Sequence, residues 1–195
     1  ARGAGLSFVL DAVRDFRSND ADTPVVLMGY LNPVEIRGYA RFAADAAAAG
    51  VDGLLVVDLP PEEAGDLRDA LGQHGLALIL LASPTTPDAR IDLLCRDAQG
   101  YLYYVSYAGV TGADRLDTGE AGDRLALIRS RAGAPVVAGF GIKDAASAAA
   151  MARSAEGVVV GSALVSALAE SAGTDDAVAR ATAFLAPLRA ALDAG

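Results

Sequence analysis

Short runs rich in Val, Leu and Ile recur along the chain at 24–30, 53–58, 76–81, 100–106, 135–139 and 157–161, each bounded by Gly, Pro or Asp. They are too short for helices and alternate little, the pattern of strands buried on both faces. Between them lie stretches with apolar residues at helical spacing. In 34–50, Ile36, Tyr39, Phe42, Ala43 and Ala46 form one stripe that ends at Gly50. The segment 61–75 opens on Pro-Pro with acids in its first turn and closes on Gly75. Further helices are predicted over 87–98, 122–131, 144–154 and 175–193, and the chain opens on one over 6–17. Strand starts fall about 21–35 residues apart, the length of one strand–helix unit.

Strand–helix alternation of this kind builds a parallel sheet covered by helices. A doubly wound open sheet uses six strands as they stand. A (β/α)₈ barrel normally takes roughly 250 residues and eight strands. A chain that opens on a helix and continues with six strand–helix units therefore reads as a barrel lacking about two units at its N-terminus. The expectation is one α/β domain over 1–195, a TIM barrel represented by six units.

Charge narrows the partners. Sixteen basic against twenty-five acidic side chains leave a net charge of −9, which argues against nucleic acid or an anionic membrane as a partner. A small anionic ligand remains possible, because backbone N–H groups bind phosphate without a basic patch. The single cysteine, Cys95, gives no internal disulfide and fits a reducing cytoplasm. No apolar run reaches the 18 or so residues that a membrane span needs.

Both architectures bind ligands at the C-terminal ends of their strands. Gly139-Phe140-Gly141 and Gly161-Ser162 follow the last two strands. Glycine there lets the backbone approach phosphate oxygens, and a helix N-terminus favours the anion. Glycines that serve only the turn are the plain alternative. The connection 106–122 carries Gly109, Gly112, Gly119 and Gly122, and reads as an active-site lid or as a simple surface loop. Asp58 closes an apolar run at the sheet's mouth, where a carboxylate binds a polar group, acts as a base or caps a helix. Tyr103 alternates with Leu102 and Tyr104, so it points either to a ligand or to a core partner.

Other residues are set aside. His74, beside Gly75, is expected at the surface at a helix end, and Cys95 in a helix core. Lys143 is the single lysine and follows the glycine pair rather than sitting mid-strand. One histidine so placed supports neither a metal cluster nor a Ser-His-Asp set.

Taken together, six segments resemble the tryptophan synthase alpha chain family. They are Pro24-Val-Val-Leu-Met-Gly-Tyr-Leu-Asn-Pro33, Ala49-Gly-Val-Asp-Gly-Leu-Leu-Val-Val-Asp-Leu-Pro60, Gly100-Tyr-Leu-Tyr-Tyr-Val-Ser106, Gly109-Val-Thr-Gly-Ala113, Gly139-Phe-Gly-Ile142 and Val160-Gly-Ser-Ala163. The resemblance implies a TIM barrel that cleaves indole-3-glycerol phosphate to indole and glyceraldehyde 3-phosphate by retro-aldol chemistry. It implies no cofactor on this chain and a beta subunit partner that carries pyridoxal phosphate. By position, Gly112, Gly139, Phe140, Gly141, Gly161 and Ser162 bind the substrate phosphate, Thr111 belongs to the lid, and Tyr103 lines the pocket. Tyr30 and Asp58 stand at the pocket mouth, with Asn32 and Pro33 toward the partner. The family's catalytic glutamate and aspartate lie ahead of the matched segment, so the 195 residues alone are expected to be poorly active. Two other readings are a non-catalytic barrel fragment that binds phosphate ligands and a beta partner, and a phosphate-binding isomerase.

Overall fold

The computed structural model of the protein describes residues 5–105, 118–139 and 141–194, with the backbone alone for 118–121. The chain forms two compact units, one of residues up to Leu81 with 97–100, the other of 82–96 with 101 onward.

In the first unit, α1 (Leu6–Arg17) precedes β1 (Val26–Gly29), α2 (Leu31–Arg37), α3 (Tyr39–Ala49), β2 (Gly53–Val56), α4 (Gly65–Gly72) and most of β3 (Ala77–Ala82). The three strands are parallel, with Leu27 beside Leu54 and Leu54 beside Leu78. Every β2 residue is buried, as expected of a strand covered on both faces. Leu67 and Leu71 of α4 and Phe42, Ala43 and Ala46 of α3 join the same core.

The second unit holds α5 (Asp88–Asp97, of which Asp97 belongs to the first unit), β4 (Leu102–Val105), α6 (Thr118–Arg131), β5 (Val136–Gly139), α7 (Ala145–Ala152), β6 (Gly157–Val159), α8 (Ser162–Ala169) and α9 (Thr174–Asp193). Its strands are again parallel neighbours in chain order. Ile142, Ala148 and Leu188 form a core between α7 and α9, packed by Met151, Val158 and Phe184.

Two helices differ from the sequence reading. The expected single helix over 34–50 is α2 and α3, parted at Gly38, whose φ of 83° is left-handed backbone that favours glycine. The break resets the helical phase. Ile36, assigned to the buried stripe of Phe42, is 78% exposed. The segment 61–75 splits into a 3₁₀ turn, Pro61–Glu63, and α4. His74 is exposed beside Gly75, whose φ is 73°, and Cys95 is buried with Sγ toward the Ile128 carbonyl, both as expected.

The starts of the strands are fastened by side chains. Asp52, just before β2, accepts the Val25 N–H at 2.6 Å and pairs with Arg17. Gln99, before β4, accepts the Leu78 N–H at 3.0 Å. Glu156, before β6, accepts the Val136 N–H at 2.8 Å and pairs with Arg129. Arg17 also donates to the carbonyls of Gly50 (2.8 Å) and Thr23 (2.7 Å), joining the end of α1 to the end of α3.

Gly50 is where this clamp is most sensitive. Its φ is 90°, and a Cβ there would stand 2.6 Å from Arg17 Cγ. Gly50→Ala is expected to cost at least about 1–2 kcal/mol, the left-handed penalty for a residue with a Cβ. Gly72, with open space around it, is a helical control whose replacement by Ala should stabilise by up to about 1 kcal/mol. Urea unfolding of the full-length protein reads both: the Gly50→Ala midpoint should fall with unchanged slope and the Gly72→Ala midpoint should hold or rise.

Candidate functional site

In the second unit the paired residues of neighbouring strands face the same side of the sheet. Tyr103 stands beside Val137 and Val137 beside Gly157, while Val105, Gly139 and Val159 form the next row. The opposite side, with Leu102, Tyr104, Val136 and Ala138, is fully buried. The side of Tyr103 is the less buried one.

Tyr103 is 9% exposed and leans toward the strand ends. A Cβ at Gly139 would lie 2.3 Å from Tyr103 Oη and 2.7 Å from its Cε2. Glycine is therefore needed at 139 to admit the phenol, a packing reason the sequence alone did not supply. Burial, followed by the neighbouring Tyr101, pushes the Tyr103 pKa up, so its hydroxyl stays protonated at neutral pH. That hydroxyl makes no hydrogen bond among the described residues, which leaves it available as a donor; the fully buried hydroxyl without a partner is that of Tyr104, on the opposite side of the sheet. Tyr101, whose pKa burial also raises, sits two residues back on the same side. It was missed in the sequence, although i, i+2 alternation with Tyr103 was the signal for it.

The two helices that follow β5 and β6 differ at their N-termini. Asp144 caps α7: its carboxylate accepts the Ser147 N–H at 2.8 Å, and Ser147 Oγ in turn accepts the Asp144 N–H at 3.1 Å. The Ser147 hydroxyl and N–H hold the Asp144 carboxyl below the usual range, so this N-terminus already carries an anion. No side chain caps α8, which begins at Ser162 behind Gly161. The first N–H groups of a helix have no partner within it, so α8 presents free donors and the positive end of its dipole. Gly161, Ser162 and Gly141 are exposed, and Gly141 has a φ of 71°. The sequence reading gave 162–169 no helix range, although it expected a helix N-terminus at Gly161-Ser162, where α8 begins.

The first unit gathers the remaining described candidates. Tyr30 precedes α2 and is 67% exposed. Asp58 Oδ1 accepts the Leu31 N–H at 2.8 Å, so a carboxylate from the end of β2 caps α2. Asn32 and Pro33 occupy the first turn of that helix, both exposed. Thr111, Gly112 and Phe140 lie outside the described residues. Among the described residues no group of three His, Cys, Asp or Glu side chains is placed to hold a metal, and no helix is long and apolar enough to cross a membrane.

The family model for the tryptophan synthase alpha chain matches residues 1–193. The chain is 70% identical to the tryptophan synthase alpha chain of Xanthomonas axonopodis pv. citri (strain 306) over 196 aligned positions, covering all of this chain and 73% of that one. A crystal structure of the tryptophan synthase alpha chain from Legionella pneumophila aligns with a TM-score of 0.85 at 42% identity, over 97% of this chain and 70% of that chain. A structure of the tryptophan synthase a2b2 complex of Pyrococcus furiosus aligns with a TM-score of 0.87 at 34% identity, over 96% and 75%. These likenesses and the parallel strand–helix units place the fold in the TIM-barrel class. The chain belongs to the tryptophan synthase alpha chain family, the carbon–carbon lyases that cleave indole-3-glycerol phosphate to indole and glyceraldehyde 3-phosphate in tryptophan biosynthesis.

Proposed function

We propose that the second unit of this chain holds the glycerol phosphate part of indole-3-glycerol phosphate. The observation that carries this reading is the contrast between two helix N-termini, α7 closed by its own carboxylate and α8 open behind Gly161. The phosphate oxygens would accept N–H groups of Gly161 and the first turn of α8, with the Ser162 hydroxyl as a further donor. Gly139, which ends β5, and Gly141 would form the neighbouring wall, and by the family resemblance Phe140, Thr111 and Gly112 belong to the same phosphate site.

Cleavage needs a proton delivered to the indole ring at C3, the ring N–H proton removed, and the glycerol hydroxyl deprotonated as the carbon–carbon bond breaks. Tyr103, protonated and without a partner, donates to the glycerol chain and fixes its orientation. In the family, the resemblance gives the proton transfers themselves to a glutamate and an aspartate outside the segments matched above. No cofactor takes part on this chain, and pyridoxal phosphate belongs to a tryptophan synthase beta subunit. That partner would meet the face of Tyr30, Asn32 and Pro33, where Ile36, one turn on from Asn32, adds exposed apolar surface. Asp58 serves this mouth by fixing α2. The net charge of −9 and the soluble substrate fit a cytoplasmic enzyme without nucleic-acid or membrane partners. The two units belong to one barrel domain.

Placing a carboxylate at the start of α8 should repel the phosphate. In the full-length protein, Ser162→Asp is expected to weaken sn-glycerol 3-phosphate binding by about 10-fold or more and Ser162→Ala only a few-fold, because most donors are backbone. Calorimetry giving Ser162→Asp the parental affinity would remove the phosphate from α8.

The packing of Tyr103 over Gly139 yields a second outcome. Gly139→Ala should displace the phenol and cost about 1–3 kcal/mol of stability, the usual penalty for overpacking. Tyr103→Leu in the same chain should recover part of that loss, giving a favourable interaction energy in the double-mutant cycle. Strict additivity of the two substitutions in chemical denaturation would mean that the two residues do not touch.

A further inference from the structure

We infer that Lys143 is the residue that draws the substrate's phosphate dianion to the open end of α8 and thereby sets the encounter rate. The inference rests on the phosphate reading above. The chain carries a net charge of −9, so its long-range field opposes the approach of a dianion. The proposed phosphate donors are neutral backbone groups, which hold an anion at contact and attract it weakly from a distance. Lys143 is the single lysine of the sequence. It is exposed, and its ammonium makes no hydrogen bond or ion pair among the described residues.

Position places this charge beside the proposed site. Gly139 pairs with Val159 in the β5–β6 register, so Gly141 and Gly161 each follow two residues past the same rung. Neighbouring strands stand about 4.8 Å apart, and Lys143 lies two residues beyond Gly141, at most about 7 Å along the chain. A lysine side chain can span the remainder, which puts the α8 N-terminus within reach of its ammonium at about one Debye length, roughly 8 Å at physiological ionic strength. Among the described residues, other cations of this unit are held elsewhere. Arg124 pairs with Asp88 and Arg180 with Asp176 and Glu170. Arg153 follows α7 at the opposite, strand-start end. The adjacent carboxylate, Asp144, is bonded to the Ser147 N–H and hydroxyl and keeps its negative charge beside Lys143, so removing the lysine would leave that charge uncompensated next to the site.

A residue that steers leaves its mark on encounter and on salt dependence, not on turnover. In the full-length protein, K143Q is expected to lower kcat/KM for indole-3-glycerol phosphate cleavage about 3–10-fold in low-salt buffer with kcat unchanged. The deficit should close in about 0.5 M salt, where the screening length is a few ångströms. K143R should match the parent, and K143E should exceed the K143Q deficit. Parental kcat/KM for K143Q at low salt, a deficit that salt does not close, or a K143R loss equal to that of K143Q would each overturn the assignment. Inhibition of the parent by sn-glycerol 3-phosphate separates the two levels: a parent that it does not inhibit defeats the phosphate reading beneath, whereas an inhibited parent with an unaffected K143Q defeats the steering role alone.

Discussion

Three acceptor side chains fasten the starts of the strands, and the positions of the strand ends follow from them. Asp52, Gln99 and Glu156 each stand just before a strand and accept an N–H at the start of the preceding one. Two of the three are held in turn by an arginine from a nearby helix, Arg17 and Arg129. A parallel pair has evenly spaced hydrogen bonds and no hairpin to set its register, so a residue-specific contact at the start removes the freedom to slip. A slip of one residue would send every side chain to the other face. Tyr103 would then leave the row of Val137 and Gly157, and the phenol would no longer lie over Gly139.

The far ends of the same strands carry the opposite character. Where the starts are tied by charged side chains, the ends present groups without partners: the Tyr103 hydroxyl, the uncapped turn of α8 and the exposed backbone of Gly141 and Gly161. The donors at Gly141, Gly161 and Ser162 are exposed, so water serves them until a ligand takes its place. In the neighbouring helix α7, Asp144 and Ser147 satisfy the same kind of donors. An anionic ligand thus has one open helix end and one closed helix end to choose between.

Much of this was legible from local pattern. Short apolar runs bounded by glycine located all six strands, because a strand buried on both faces needs no partner-specific signal to be apolar throughout. Gly75 at positive φ, the exposure of His74 and the burial of Cys95 followed from end signals and neighbours in the chain. The break at Gly38 was not legible, since a glycine inside an apolar period of helical spacing is ordinarily tolerated, and the error carried Ile36 onto the wrong face. The strand-start contacts were equally hidden: Asp52 and Val25 lie 27 residues apart, and nothing in either neighbourhood announces the other. For Asp58, helix capping was one of the expected roles, but its partner Leu31 came only with the fold.

The central claim is that the phosphate of the substrate sits on the first turn of α8 and not on α7. Amide chemical shifts of the full-length, ¹⁵N-labelled protein titrated with sn-glycerol 3-phosphate test it directly. The account predicts saturating shifts at Gly161, Ser162, Ala163 and Leu164, with Gly141 moving alongside, while Ala145, Ala146 and Ser147 in the capped turn of α7 stay in place. Shifts concentrated on Ala145–Ser147, with Gly161–Leu164 unmoved, would contradict it.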